Sequence, residues 1–400
     1  MKNKAGFWMT TITLIILTCW SCKKVMPGPK ADDEVLDGPV EGLSDNQSLQ
    51  HLKGDVAFND RVFTAETGLG SVFVANSCGS CHAGDGKGHP FTALIRFGQS
   101  DSTGNRYLDQ GGPQLQNRAM PGFQPETLPA GAPFSKFMPP ANTGLGYLEL
   151  VSDADLIAMS DPHDVNGDGI SGVPNWKPLG GYLLAGKNAI ARNGQYIHRF
   201  GKKASAFSLL HQTVNAYNQD MGITSSYNPY DVYTNNEIDP EITVQEINDV
   251  VFYLQTLKAP VQREQENPEV KMGKNVFMDL GCNGCHRETL KTGESPVSAL
   301  SNKEFHPYTD LLLHDMGAGL DDGYTEGSAK SSEWRTPALW GLGLSPNSQG
   351  GRFFLMHDGR AHSIEEAIQL HGGEGSAGKD QFMGLSDADK KALIKFLNSL

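Results

Sequence analysis

Apolar residues recur at helical spacing in two stretches of the chain that resemble one another. Ile247, Val250, Val251 and Leu254 fall on one stripe behind Thr243 and Glu246, which have the spacing of a capping box. Leu393, Phe396, Leu397 and Leu400 form a second stripe behind Ser386 and Asp389. One stretch ends in "YLQTL" and the other in "FLNSL". Both predict amphipathic helices that bury one face. A shorter stripe of Ile364, Ala367, Ile368 and His371 follows Ser363, a third cap. No window sustains the period-two alternation of a half-buried strand. Stretches rich in Gly and Pro, 46 and 22 residues of the 400, separate the short helical segments. The pattern predicts a mainly α chain with long irregular loops.

The chain also repeats itself. "SVFVANSCGSCH" (71–82) matches "KNVFMDLGCNGCH" (274–286), with Val-Phe at the same distance before the first Cys. Each unit therefore has such a motif near its start and an amphipathic helix at its end. The polar, Pro-bounded segment "KAPVQREQENP" (258–268) joins them. This places one domain at 51–258 and a second at 269–400. The first residues read differently. Lys2 and Lys4 precede an apolar run, Phe7 to Thr18, too short to span a bilayer and suited to a secretion signal. Residues 1–22 resemble a bacterial lipoprotein signal, with Cys22 as the thiol that takes lipid; simple cleavage without lipid is the other reading. Residues 23–50, with Pro27, Pro29, Pro39 and an acidic run, read as a disordered tether. The expectation is an exported protein on the periplasmic side of a bacterial cell envelope, anchored to a membrane.

Cysteine usage then narrows the chemistry. Of six cysteines, Cys19 leaves with the signal and Cys22 is the anchor candidate. The other four sit in two Cys-x-x-Cys-His motifs, Cys78 to His82 and Cys282 to His286, which leaves none for a structural disulfide. Two thiols at this spacing can add to the vinyl groups of a haem and hold the adjacent His under the iron. Zinc is the competing ligand for such pairs. The pairs lie about two hundred residues apart, each is followed at once by His, and an export signal is present; all three favour two haem c groups. The charge balance, 33 basic against 46 acidic residues for a net of −13, disfavours nucleic acid as partner and suits a basic redox protein; an acidic surface that serves solubility alone is the other reading.

Two further groups are legible. His371 shares the apolar face of its helix with Ala367 and Ile368, so by spacing it is either a haem ligand or a core histidine at a helix end. "DVNGDGISG" (164–172) puts Asp164, Asn166 and Asp168 at the first three ligand positions of a calcium loop. Its twelfth position is Asn175 rather than Glu, which excludes a full EF-hand. An Asp/Asn/Gly turn without metal is the alternative.

The order Cys-x-x-Cys-His, "WRTPALWGLG" (334–343), "HDGR" and an acidic helix resembles the bacterial di-haem cytochrome c peroxidases and the methylamine-utilisation di-haem enzymes. "HDMGAGLDD" (314–322), "EWRTPALWGLG" and "EEAIQLHGGE" resemble most closely the di-haem oxidoreductase group of that superfamily. The resemblance spans roughly residues 55–400 and implies two tandem cytochrome c-like haem domains. It implies that Cys78, Cys81, Cys282 and Cys285 carry the haems and that His82 and His286 are their proximal ligands. His371 stands where the peroxidases have a Met and the methylamine enzymes a Tyr, so the resemblance implies a sixth ligand to the second haem. Asp220 stands near the peroxidase acid beside the peroxide-binding iron, and His198, His211 and Met221 are candidates for that iron's distal ligand. The activity implied is reduction of a small oxidant such as peroxide, with electrons from a partner protein entering at the second haem. An electron carrier with both irons six-coordinate, and an oxidase of an organic or protein substrate, are the other readings.

Overall fold

The computed structural model describes residues 35–400 apart from 37, 102 and 103. The expected signal, Cys22 and the tether as far as residue 34 lie outside the described residues. The rest of that tether is packed. Leu36 and Val40 are buried, Val40 donates to the Thr256 carbonyl, and helix α1 (Asp45–Asp55) opens on a capping box of Ser44 and Gln47. The polar composition hid this because Leu36, Val40 and Leu43 are spaced too widely to read as a stripe.

Helix α2 (Leu209–Asn215) continues as a wider turn to Asp220. It packs with α3 (Val244–Thr256), whose capping box, Thr243 and Glu246, forms as expected. Helix α4 (Pro268–Asp279) precedes the second Cys-x-x-Cys-His motif, α5 (Ile364–Gln369) carries the stripe toward His371, and α6 (Asp387–Ser399) closes the chain. Two helix pairs dominate, α1 on α3 and α4 on α6. Both cross at a glycine for the same reason. A Cβ on Gly54 would lie 2.1 Å from the Asp249 carbonyl oxygen, and one on Gly273 would lie 2.0 Å from that of Ala392. Only a residue without a side chain lets the helix backbones approach this closely. Around the crossings lie two cores. One holds Phe58, Tyr217, Ile247 and Tyr253; the other holds Phe277, Tyr308, Phe396 and Leu397. Each such side chain contributes roughly 1.5–3 kcal/mol when buried.

The internal repeat is only partly a structural one. Val276 and Phe277 are helical, and Phe277 packs 5.5 Å from Phe396. Val72 and Phe73 instead form a two-residue strand against Arg118–Ala119. Phe58, in the wider turn Val56–Asp60 that continues α1, takes the place of Phe277: its ring is 6.0 Å from His82, as Phe277 is 6.5 Å from His286. Sequence matching aligned the residues nearest the cysteines, whereas the fold uses an aromatic twenty residues before Cys78.

The expectation of a mainly α chain in two tandem cytochrome c-like domains does not hold. Helix makes up 34% and strand 14%, and the described residues include six two-stranded antiparallel sheets. Leu94–Phe97 pairs with Phe134–Phe137, Asn175–Lys177 with Tyr196–His198, and Leu313–Asp315 with Glu333–Arg335. Strands of two to four residues are too short to leave an alternating signature. Residues 36–400 form one compact unit. Segments from the two expected halves pair directly: Val173 bridges Leu313, Arg96 pairs with Glu326, and the Lys203 ammonium donates to the carbonyls of Lys330, Ser331 and Glu333. The hairpins between residues 90 and 240 supply these contacts, and their polar, Gly-rich sequence gave no sign of where they would dock.

Candidate functional site

Both Cys-x-x-Cys-His segments fold as single tight turns. His82 and Cys81 donate their backbone N–H to the Cys78 carbonyl at 3.0 and 3.1 Å, and His286 donates to that of Cys282 at 3.0 Å. The second turn is opened by Gly281 at φ +72°, a left-handed position suited to glycine. Each turn gathers two thiols and an imidazole. Burial pushes the Cys78 thiol up to about 12 and the Cys81 and Cys282 thiols up to about 11, and raises Cys285. All four thiols are therefore held in the protonated form at neutral pH.

The two histidines are held alike. His82 Nδ1 lies 2.9 Å from the Pro140 carbonyl, and His286 Nδ1 lies 3.0 Å from that of Tyr308. Burial lowers both pKa values to about 4, against the pull of those carbonyls. A neutral ring that donates through Nδ1 has a bare Nε2, the tautomer a metal ligand needs. His371 repeats the arrangement, with Nδ1 2.7 Å from the Ala367 carbonyl and a pKa lowered by burial. It lies near enough to His286 to depress that ring's pKa. The fold therefore brings His286 and His371 together, each with a free Nε2. Two thiols beside a bare imidazole nitrogen, twice over, are a donor set that fits haem c at both places.

Beside the second motif stands a network that sequence reasoning missed. Buried His314 sits between two carboxylates, Nε2 2.8 Å from Asp310 and Nδ1 2.6 Å from Glu374, with the Cys285 sulfur 3.4 Å away. Glu374, three residues after His371, also accepts from the Ser171 amide and hydroxyl and from the Asp315 amide. Burial opposes charge on His314, but bonds to Asp310, Cys285 and Glu374 outweigh it and raise its pKa well above 6.5. The only sequence signal was the His-Asp opening of "HDMGAGLDD".

Near the first motif the chain places Asp220. Its carbonyl accepts from the amides of Val74 and Ala75, so it runs alongside the segment leading to Cys78. Its carboxylate is close enough to raise the pKa of both Cys78 and Cys81. Gln114 Nε2 donates to Asp220 Oδ1 at 2.6 Å and to the Gln219 carbonyl at 3.0 Å. Burial lifts Asp220 to about 6, opposed by the Gln114 bond and by the Arg96 guanidinium. Arg96 in turn bridges the Gln219 side chain and Glu326, at 2.5 and 2.6 Å. Nothing in the sequence pointed to Gln114, Arg96 or Glu326.

The three candidates for a further ligand here differ in what they offer. His198 is buried, its Nδ1 is 3.1 Å from the Tyr196 carbonyl, and its buried Nε2 has no hydrogen-bond partner. His211 accepts the Phe207 amide on Nδ1 at 3.1 Å, so its neutral ring carries the proton on Nε2 and has no free lone pair there. Met221 is buried in the first core.

The 164–172 loop closes on itself. Asp164 accepts from Gly169, Asn166 from Asp168, and Asp168 from Ile170 and Asn166. These are the bonds of successive Asx turns. Among the described residues no group of three or more His, Cys, Asp or Glu side chains is arranged to hold a metal ion.

The family model described as "Di-haem oxidoreductase, putative peroxidase" matches residues 136–400, about two thirds of the chain. The match takes in the second motif, Asp220 and His371, and begins after the first motif. No curated protein matches. Among solved structures the chain is similar to Kuenenia stuttgartiensis hydrazine synthase pressurised with xenon, at 14% identity over 94% of this chain and 98% of that one. The TM-score is 0.39, too loose a likeness to carry fold or function.

Proposed function

The chain belongs to the di-haem oxidoreductase family, and on that premise we propose that it is an exported c-type cytochrome that reduces peroxide beside His82. The observation that carries this reading is Asp220, a partly buried acid whose backbone pairs with the segment leading to the first Cys-x-x-Cys-His turn and whose pKa is raised to about 6. Each cysteine pair and its His would hold a haem, which would supply iron able to exchange single electrons. The residues supply the rest. Reducing peroxide to two waters takes two electrons and two protons, and one proton must reach the departing oxygen. Gln114 donates to Oδ1, which leaves Oδ2 of Asp220 as the atom that carries the proton. With its pKa raised to about 6, the acid can both give and regain it near neutral pH. His286 and His371 would hold the second haem between two imidazoles, a closed site suited to receiving electrons from a partner protein. Export and a lipid anchor at Cys22 are part of the proposal and rest on the N-terminal sequence.

One observation favours a second reading. The buried, unpartnered Nε2 of His198 lies in the same polar region, since Lys177 depresses both His198 and His211, and His211 also feels Glu326 and Arg96. Were it to close the first iron, the protein would be an electron carrier. The test is peroxide turnover by wild type and Asp220→Asn at equal haem content, with haem retained through acid–acetone extraction. The expected loss is on the order of a hundredfold. Equal turnover removes Asp220 from the mechanism. No turnover by pre-reduced wild type, with activity appearing in His198→Ala, establishes the carrier.

A further inference from the structure

Three cations, Lys87, Lys202 and Arg335, lie near one another beside His82, and none has an ion-pair partner among the described residues. Lys87 follows His82 by five residues, and its carbonyl is pinned by the Ser348 hydroxyl at 2.8 Å. Lys202 lies in a turn whose backbone is fixed by Arg335. The Arg335 amide donates to the Lys202 carbonyl at 2.9 Å and its Nε to the Gly201 carbonyl at 2.8 Å. Lys202 stands close enough to Lys87 and Arg335 to be repelled by both, and close enough to His82 to act on its charge. On the other side Arg335 faces Asp310.

The contrast with Lys203 is informative. That neighbouring ammonium is fully satisfied, by three carbonyls and by the Trp334 ring at 3.7 Å. The ammonium groups of Lys87 and Lys202 have no hydrogen-bond or ion-pair partner among the described residues. The two acids nearest the cluster are engaged elsewhere: Asp358 with Arg360 at 2.8 Å, and Asp310 with His314 at 2.8 Å. Burial and mutual repulsion push Lys202 down to about 7, burial pushes Lys87 down to about 8, and burial lowers Arg335 to about 10. The Arg335 guanidinium donates to the Gly201 and Thr336 carbonyls, at 2.8 and 3.1 Å, but the two ammonium groups beside it have no such partners, and each costs free energy until an anion joins it.

We propose that Lys87, Lys202 and Arg335 form a carboxylate-binding site, occupied by the propionate groups of the haem carried by Cys78 and Cys81. This rests on the haem reading above. Haem attached by its vinyl groups presents two carboxylates elsewhere on its rim. A planar guanidinium with two ammonium groups meets paired carboxylates with charge-assisted hydrogen bonds. The cluster beside His82 is the unneutralised positive charge available for them. A soluble dicarboxylate is the other source of the same chemistry.

The experiment uses full-length holoprotein. Covalent haem is counted first, by pyridine haemochrome after acid–acetone extraction. Fewer than two per chain in wild type overturns the haem reading itself. Resonance Raman propionate-bending bands and spectroelectrochemical titration are then compared in wild type, Lys87→Gln, Lys202→Gln and Lys202→Arg. The proposal expects the bands to shift in both Gln variants and to return in Lys202→Arg. It also expects the ferrous-to-ferric ratio of one haem, at fixed ambient potential, to fall on the order of tenfold in Lys202→Gln, the effect of one charge at about 10 Å and an effective dielectric near 20. Unchanged bands and an unchanged ratio with both haems present overturn the site. Unchanged bands together with saturable malonate binding that Lys202→Gln abolishes overturn the propionate assignment in favour of a free dicarboxylate.

Discussion

Gln114 and Asp220, 106 residues apart in sequence, meet at 2.6 Å, amide nitrogen to carboxylate oxygen. The bond fixes which carboxylate oxygen is free. It only partly offsets burial, so the folded pKa of Asp220 stands at about 6 against an ordinary 3.8. The folded state therefore holds this proton more tightly than the unfolded chain. Its contribution to stability is full at low pH and is lost as pH rises from about 4 to about 6. Two pKa units correspond to about 3 kcal/mol. Asn cannot ionise, so the stability of Asp220→Asn relative to wild type should rise by about that much between pH 4 and pH 7. Urea unfolding at each pH measures it, and a flat difference would mean that Asp220 titrates as an ordinary surface acid.

The second haem position offers a test of ligand identity. His371 and His286 each present an Nε2 whose partner nitrogen is tied to a backbone carbonyl. Replacing His371 by Met substitutes a thioether, which favours ferrous iron more than imidazole does. The potential of one haem should rise and its low-spin spectrum should change. If potential and spectrum both stay as in wild type, His371 is a packing residue.

The His314 network predicts a large loss of stability. Its ring is bonded at both nitrogens to carboxylates, at 2.8 and 2.6 Å. His314→Leu leaves two buried carboxylates facing one another without the cation, a change of about 3–5 kcal/mol. The pH dependence follows from both partners. The His314 contribution is complete below about 6.5 and lost as pH climbs through its raised folded pKa. Burial of Glu374 is outweighed by its bonds to His314 and Ser171, which hold it at about 2, so its contribution is complete above 4.5 and lost as pH falls toward 2. Melting temperatures from pH 2 to 9 should peak between those limits in wild type and lose that peak in His314→Leu.

The helix crossings should respond alike. Gly54→Ala and Gly273→Ala each drive a methyl group into a helix carbonyl. Each should cost about 1–3 kcal/mol, as overpacked cores do. Gly281→Ala tests backbone conformation rather than space, because its added Cβ meets nothing within 4 Å. A substitution at Gly54 or Gly273 that leaves denaturant midpoints unmoved would mean that the helices part without cost.

The sequence by itself determined the chemistry-bearing turns and the helices that frame them. Cys-x-x-Cys-His is local: five residues place two thiols and an imidazole whatever surrounds them. The caps at Thr243, Ser363 and Ser386 and the stripes behind them are local too, because a helix is closed by bonds within a few residues. The tertiary structure alone decided how the halves join. Strands of two to four residues owe their existence to partners far along the chain, so their sequence carries no period to read. The same holds for the groups around the motifs. Gln114 reaches Asp220, Glu374 reaches Ser171, and Lys87 meets Lys202, each across more than a hundred residues. A hydrogen bond or a repulsion of that kind is set by the distance between atoms in space, which spacing along a chain does not encode. Phe58 makes the point most plainly. The repeated Val-Phe points to Phe73, yet the ring that packs beside His82 comes from the wider turn that continues α1, where the helix pair crossing at Gly54 delivers it.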